Sequence, residues 1–248
     1  MKSVGTFGLF FVLAAASCVA QDVYGTISIQ RRLTRQSVTA AVPMYQRGTA
    51  VQLGKRPDEG PIAFEESRVV VYLEGDIATG DAAASAAKGA QVQQLNRQFI
   101  PDIVVVPIGS SVSFPNMDPI FHDVYSLSKT RSFDLGAYDK GQTKRVTFAK
   151  PGIVDVYCHL HPNMAATVVV LANRFYARPD SDGHYRIADV PPGHYVLVAW
   201  HKSAGIFRKE IEVTAEKSTS ADFLLPLLGD GTLDASAANS SVHTLGSR

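Results

Sequence analysis

Pro151-Gly-Ile-Val-Asp-Val-Tyr-Cys158-His-Leu-His161-Pro-Asn-Met164-Ala-Ala-Thr-Val-Val-Val-Leu171 is the most informative stretch of this 248-residue chain. Pro151-Gly152 sets a turn, and Ile153–Tyr157 then reads as a strand rich in β-branched and aromatic residues. Thr167–Leu171 reads as a second strand. Between them a short loop carries a thiol, two imidazoles and a thioether. Such a loop, at the end of a sandwich, can aim three side chains at one ion.

The donor types narrow the choice of ion. A thiolate and two imidazoles in a trigonal plane, with a weak axial thioether, form the blue-copper arrangement. Structural zinc calls for paired cysteines or a fourth Cys or His, and catalytic zinc for three His/Glu-type ligands with an open position. Met164 therefore tips the expectation toward copper. The second imidazole is expected from His122, 36 positions before Cys158, in Phe114-Pro-Asn-Met-Asp118-Pro-Ile-Phe-His122. There a strand, Ser111–Phe114, gives way to a loop, and His122 begins the next strand at the same end of the sandwich.

Working outward, the chain reads as all-β. Further strands are expected at Val23–Gln30, Arg68–Glu74, Ile103–Pro107, Thr143–Phe148, Tyr185–Ala188, Tyr195–Trp200, Phe207–Val213 and Thr219–Leu225. The best helical candidate, Ala82–Gln94, is mostly Ala, Ser and Gly with almost no apolar stripe, and reads as linker. The regions are then 22–75, N-terminal strands around a polar stretch from Arg31 to Pro61; 76–91, linker; 92–172, a unit ending in the cysteine motif; and 173–228, a second strand-rich unit. The Gly-, Ser- and Ala-rich tail at 229–248 is expected to be disordered.

Residues 1–20 have the marks of a secretory signal: Lys2, the apolar run Phe7–Ala16, and a small-residue exit to Ala20. The alternative is a lipid anchor on Cys18. Without residues 1–20 the chain holds 23 Lys plus Arg against 23 Asp plus Glu, because only Lys2 is lost from the 24. That neutrality argues against a nucleic-acid partner. One cysteine, Cys158, would then remain. A lone thiol in an oxidising compartment is either an inert core residue or one that a metal occupies.

Residues 97–172 resemble the plastocyanin/azurin family of cupredoxins, and the Cys158-x-x-His161-Pro162-x-Met164 loop looks most like that of amicyanin. Phe99-Ile-Pro101, Val112-x-Phe114-x-Asn116-x-Asp118 and His122-x-Val124 match the family's first half. Phe133-Asp-Leu-Gly136 and Pro151-Gly-x-Val154-x-Val156-x-Cys158 match its second. The resemblance implies a Greek-key β-sandwich in which His122, Cys158, His161 and Met164 hold one type 1 copper ion. It also makes His161 the solvent-near edge for electron exchange with a redox partner such as a small cytochrome. One departure stands out: the family usually places Asn after the first histidine, and this chain has Asp123. His159 is expected on the surface, on the far side of the loop. With no histidine directly before Cys158 and only the His159-x-His161 pair, the chain lacks the pattern of a multicopper oxidase.

Asp182-Gly-His-Tyr185-Arg-Ile187, the Pro191-Pro192-Gly193 turn and Tyr195-Val-Leu197-Val-Ala-Trp200 resemble a carboxypeptidase regulatory-like (prealbumin-like) β-sandwich. Tyr185, Ile187, Tyr195 and Leu197 are expected to share one core. Such a sandwich normally opens with a Gly-containing strand and an apolar strand. The C-terminal unit lacks both, whereas Val23-Tyr-Gly25-Thr-Ile27 and Arg68-Val-Val-Val-Tyr72-Leu would supply them. Residues 22–75 and 173–228 are therefore expected to be halves of one sandwich split by the copper unit.

The expected function is single-electron transfer, without enzymatic activity, by an exported bacterial protein of the periplasm or cell surface. The alternatives are a copper-buffering surface protein and a metal-free structural or carbohydrate-binding module using Trp200 and Tyr195.

Overall fold

A computed structural model describes residues 20–29, 61–75, 77 and 89–225. The expected signal segment apart from Ala20, the lipid-anchor alternative at Cys18, most of the polar stretch and linker, and the 229–248 tail lie outside the described residues.

β1 (Gln21–Ile29) alternates, burying Val23, Gly25, Ile27 and Ile29 on one face. α1 (Pro61–Glu66) begins on proline, whose missing N–H costs nothing at a first helical position. β2 (Val70–Leu73) is shorter than the expected Arg68–Glu74. The turns after α1 claim the first residues, since the amides of Arg68 and Val69 each donate at 3.0 Å to the carbonyls of Glu65 and Glu66.

The cysteine-bearing unit follows: β3 (Gln93–Leu95), β4 (Gln98–Ile100), β5 (Ile103–Pro107), β6 (Ser111–Pro115), β7 (His122–Ser128), β8 (Arg131–Tyr138), β9 (Thr143–Thr147), β10 (Gly152–Cys158) and β11 (Ala165–Leu171). Three of these correct the sequence reading, β4 being a strand that the sequence did not suggest. β3 uses the end of the segment read as linker, and β8 was not expected as a strand because it is mostly exposed and interrupted by Asp134 and Gly136. Pairing with β7, not an apolar pattern, makes β8 a strand. One sheet runs β5-β11-β10-β7-β8, and the pairs β6-β9 and β3-β4 form the remaining sheets. Phe99, Val112, Phe114, Val124, Phe148, Val154, Val156 and Cys158 belong to the buried cluster of this unit.

The second unit adds β12 (Tyr176–Ala177), β13 (His184–Val190), β14 (Gly193–His201), β15 (Gly205–Val213), β16 (Thr219–Ser220) and β17 (Phe223–Leu225). Its sheets draw on both ends of the described chain. β2 pairs antiparallel with β14, Leu73 opposite Leu197, and lies between β12 and β14. β1 pairs with β13, Gly25 opposite Tyr185. Val23, Ile27, Val71, Leu73, Tyr185, Ile187 and Leu197 form one core, with Tyr195 packed against it. The expected strand Thr219–Leu225 is broken at Ala221-Asp222 because the Asp222 carboxylate accepts the Thr26 amide of β1 at 2.8 Å.

The two units press sheet against sheet. Val70 and Trp200 pack with Ile103, Val105, Val169 and Leu171 in a third buried cluster. Trp200 is thereby covered, so it does not form the carbohydrate-binding surface weighed from the sequence. The all-β class holds, as two packed sandwiches.

Candidate metal centre

Strand register sets the site. Cys158 ends β10 opposite Val124, and Tyr157 lies opposite Tyr125, so the start of β7 and the end of β10 share one pole. His122 is therefore beside Cys158 despite their separation in sequence. The connecting loop then turns back: the His159 amide donates to the Asp123 carbonyl at 3.1 Å, and the Met164 amide to the His161 carbonyl at 3.0 Å.

Three of the four expected donors converge. Cys158 Sγ is 3.7 Å from His122 Nδ1 and 3.6 Å from His161 Nδ1, and the two nitrogens are 3.1 Å apart. A thiolate about 2.3 Å and imidazoles about 2.0 Å from a zinc-sized ion in a trigonal plane would put sulfur about 3.7 Å from each nitrogen. The sulfur–nitrogen spacings match that figure; the closer nitrogens imply a narrower angle between the imidazoles. His122 is fully buried and Cys158 is 3% exposed. Met164, 1% exposed, is in the same buried cluster as Cys158.

The orientation of His122 is fixed from behind. Its Nε2 is 2.9 Å from Asp118 Oδ2, leaving Nδ1 to face the sulfur. Asp118 is itself held by the amides of Asn96 at 2.6 Å and Arg97 at 2.9 Å. Burial would raise the Asp118 carboxyl, but the Arg97 amide, the His122 imidazole and the Asn96 amide together hold it below its usual range. Asn116 locks the loop, donating to the carbonyls of Ile120 at 2.8 Å and Tyr138 at 3.0 Å while accepting the Asp118 amide. This carboxylate support was not assigned from the sequence. The signal was present as an acid four positions before His122. Burial, with the proximity of His122 and Arg97, pushes His161 below the ordinary imidazole value, against the pull of Asp118.

Asp123 and His159 occupy the back of the loop. The Asp123 amide is 3.5 Å from Cys158 Sγ. Burial and the nearby Asp134 charge raise the Asp123 carboxyl. His159 is half-exposed, as expected, and its ring lies flat on Tyr125 with centroids 3.6 Å apart.

No family model matches the chain, and no curated protein matches it. Solved structures do align with parts of it. The copper-containing nitrite reductase (NirK) from Thermus scotoductus SA-01 is 26% identical over 35% of this chain and 23% of its own, with a TM-score of 0.33. A purple cupredoxin from Nitrosopumilus maritimus is 22% identical over 33% of this chain and 98% of its own, with a TM-score of 0.30. A mutant amicyanin in the Cu(I) form is 22% identical over 40% of this chain and 97% of its own, with a TM-score of 0.32. At these TM-scores the likeness carries no weight by itself. The weight lies on three donor atoms of this chain.

Proposed function

We propose that this chain is a single-electron carrier whose one copper ion is held by His122, Cys158 and His161, with Met164 as a weak axial donor. The observation that supports it is the convergence of one sulfur and two imidazole nitrogens at spacings suited to a single ion. The soft sulfur favours Cu(I) and the imidazoles suit both oxidation states. Copper bound there would supply exchange of one electron between its two states. The residues do the rest: Asp118 holds His122 in one tautomer and ring orientation, Asn116 and the β-sheet register keep the donors from rearranging, and burial excludes water.

A carrier needs an edge that a partner can approach. Met117, Phe121 and Leu160, next in sequence to Asp118, His122 and His161, are exposed apolar side chains. They would form a dehydrating rim for a docked redox protein. On this reading the chain is not an enzyme, works outside the cytoplasm of a bacterium, and uses the split sandwich as a scaffold. No helix among the described residues is long and apolar enough to cross a membrane.

The test is colour. Protein loaded with Cu(II) is expected to be deep blue from thiolate-to-copper charge transfer, and Cys158→Ser to bleach it. Tight Cu(I) binding with no such band would support copper buffering instead. No copper binding would overturn both.

A further inference from the structure

Behind the ligand loop a second group of donors converges: His159, Asp123 and Asp134 each place one ligand atom within 4.8 Å of the others. Two of the three are held in place by other contacts. The His159 ring is stacked on Tyr125 at an interplanar angle of 7°, which decides where its nitrogens point. Asp134 Oδ1 accepts the Gly136 amide at 2.8 Å, which leaves Oδ2 facing His159. That Oδ2 stops 3.6 Å from His159 Nε2, too far for a hydrogen bond. Two ligands about 2.1 Å from a tetrahedral zinc lie about 3.4 Å apart, so the gap is close to that of two atoms sharing an ion.

Asp123 supplies the independent observation. Its Oδ1 is buried and has no hydrogen-bond partner among the described residues. A buried carboxylate oxygen without a donor carries an unrecovered desolvation cost, which a cation removes. Asp123 and Asp134 also bring two acids together beside the imidazole, and the charges of His159 and Lys144 both act on Asp123.

We propose that His159, Asp123 and Asp134 form a second metal site for a divalent cation of borderline softness, such as zinc, on the outer side of the loop that carries Cys158. Imidazole suits zinc, copper, iron and nickel, and carboxylates suit harder ions, so one nitrogen with two oxygens selects the ions between them. The exposed side chains of His159 and Asp134 leave room for water to complete the coordination. The site does not depend on copper at the first cluster, since it shares no donor with it. An ion there would lie one residue along the backbone from Cys158 on one side and from His122 on the other.

The experiment titrates zinc(II) alone into the full chain carrying Cys158→Ser, followed by calorimetry. One saturable equivalent is expected, and adding Asp134→Asn or His159→Gln should weaken it at least about tenfold, the low end of what loss of a supporting residue costs a metal site. Asp134 is on the surface, so Asp134→Asn is also made in the unmodified chain, where it should lower the zinc stoichiometry by one. Absence of saturable zinc in the Cys158→Ser chain, or the same affinity and stoichiometry with and without Asp134→Asn, would overturn the proposal and leave His159–Asp134 as a plain surface ion pair. A failure of the blue colour bears on the first cluster only, and a failure of this titration on the second only.

Discussion

Asp118 shows how much of the site is decided behind the donors. Its carboxylate accepts two backbone amides and faces His122 Nε2, so the imidazole has one tautomer and one orientation available. Replacing it with asparagine should lower Cu(I) affinity by about 10- to 100-fold, read by competition with a chelator. Met164 makes a separate prediction. Met164→Leu keeps the volume of a buried side chain, so stability should change by less than about 1.5 kcal/mol. The reduction potential should rise, because losing an axial donor destabilises Cu(II) more than Cu(I); voltammetry checks it. At this scale the chemistry was legible, since Cys158, His161 and Met164 sit on one short loop. The support by Asp118 and the grouping of His159 with Asp123 and Asp134 were not, because each needs contacts between separate strands.

Among the elements, β1 is the most constrained. A Cβ on Gly25 would overlap the carbonyl oxygen of Ala221 and crowd the Tyr185 hydroxyl, which itself bonds that carbonyl. Gly25→Ala should therefore cost about 1–3 kcal/mol, seen as a lower urea midpoint. The run Val23-Tyr-Gly25-Thr-Ile27 was enough to expect this strand, and the structure decides that Val23, Gly25 and Ile27 are its buried face. β8 was invisible because an edge strand with one covered face of mixed polarity carries no period. The break between β16 and β17 was invisible for another reason, as a side chain of Asp222 replaces a backbone partner of Thr26.

Across the whole molecule, the interface between the two sandwiches is expected to couple their unfolding. Trp200 is the sole tryptophan and is buried in that interface. Its fluorescence and the blue colour should be lost in one urea transition, and two separated transitions would show that the contact does not couple the units. Trp200→Phe should keep the coupling, whereas Trp200→Ala should cost about 3–5 kcal/mol. Next to it, His201 is fully buried against Glu65 at 3.1 Å, while its Nδ1 accepts the amides of Ser203 and Ala204. Burial lowers its pKa from 6.5, with Glu65 opposing, and a proton on Nδ1 would displace both amides. The unfolded chain therefore takes up a proton that the folded chain refuses. Stability is complete above the model-peptide value of 6.5 and falls as pH drops toward the folded value, and His201→Gln should flatten that slope in denaturation from pH 7 to 5.

The sequence by itself determined the all-β class and named His122, Cys158 and His161, the three donors that the fold brings together, because ligand chemistry and short-range periodicity are local. The runs Ile103–Val106, Thr167–Leu171 and Val69–Leu73 are a different matter. Each is apolar at nearly every position, which by itself does not say what covers either face. Only the tertiary structure assigned Val168 and Val170 to the core of the cysteine-bearing unit, and Val169 and Leu171 to the seam with its neighbour. The physical reason is that a strand covered on both faces loses the alternation that marks an inside and an outside. Which neighbour covers it is set by other chain segments, Val70 and Trp200 for the seam face of Thr167–Leu171, and no local pattern encodes that.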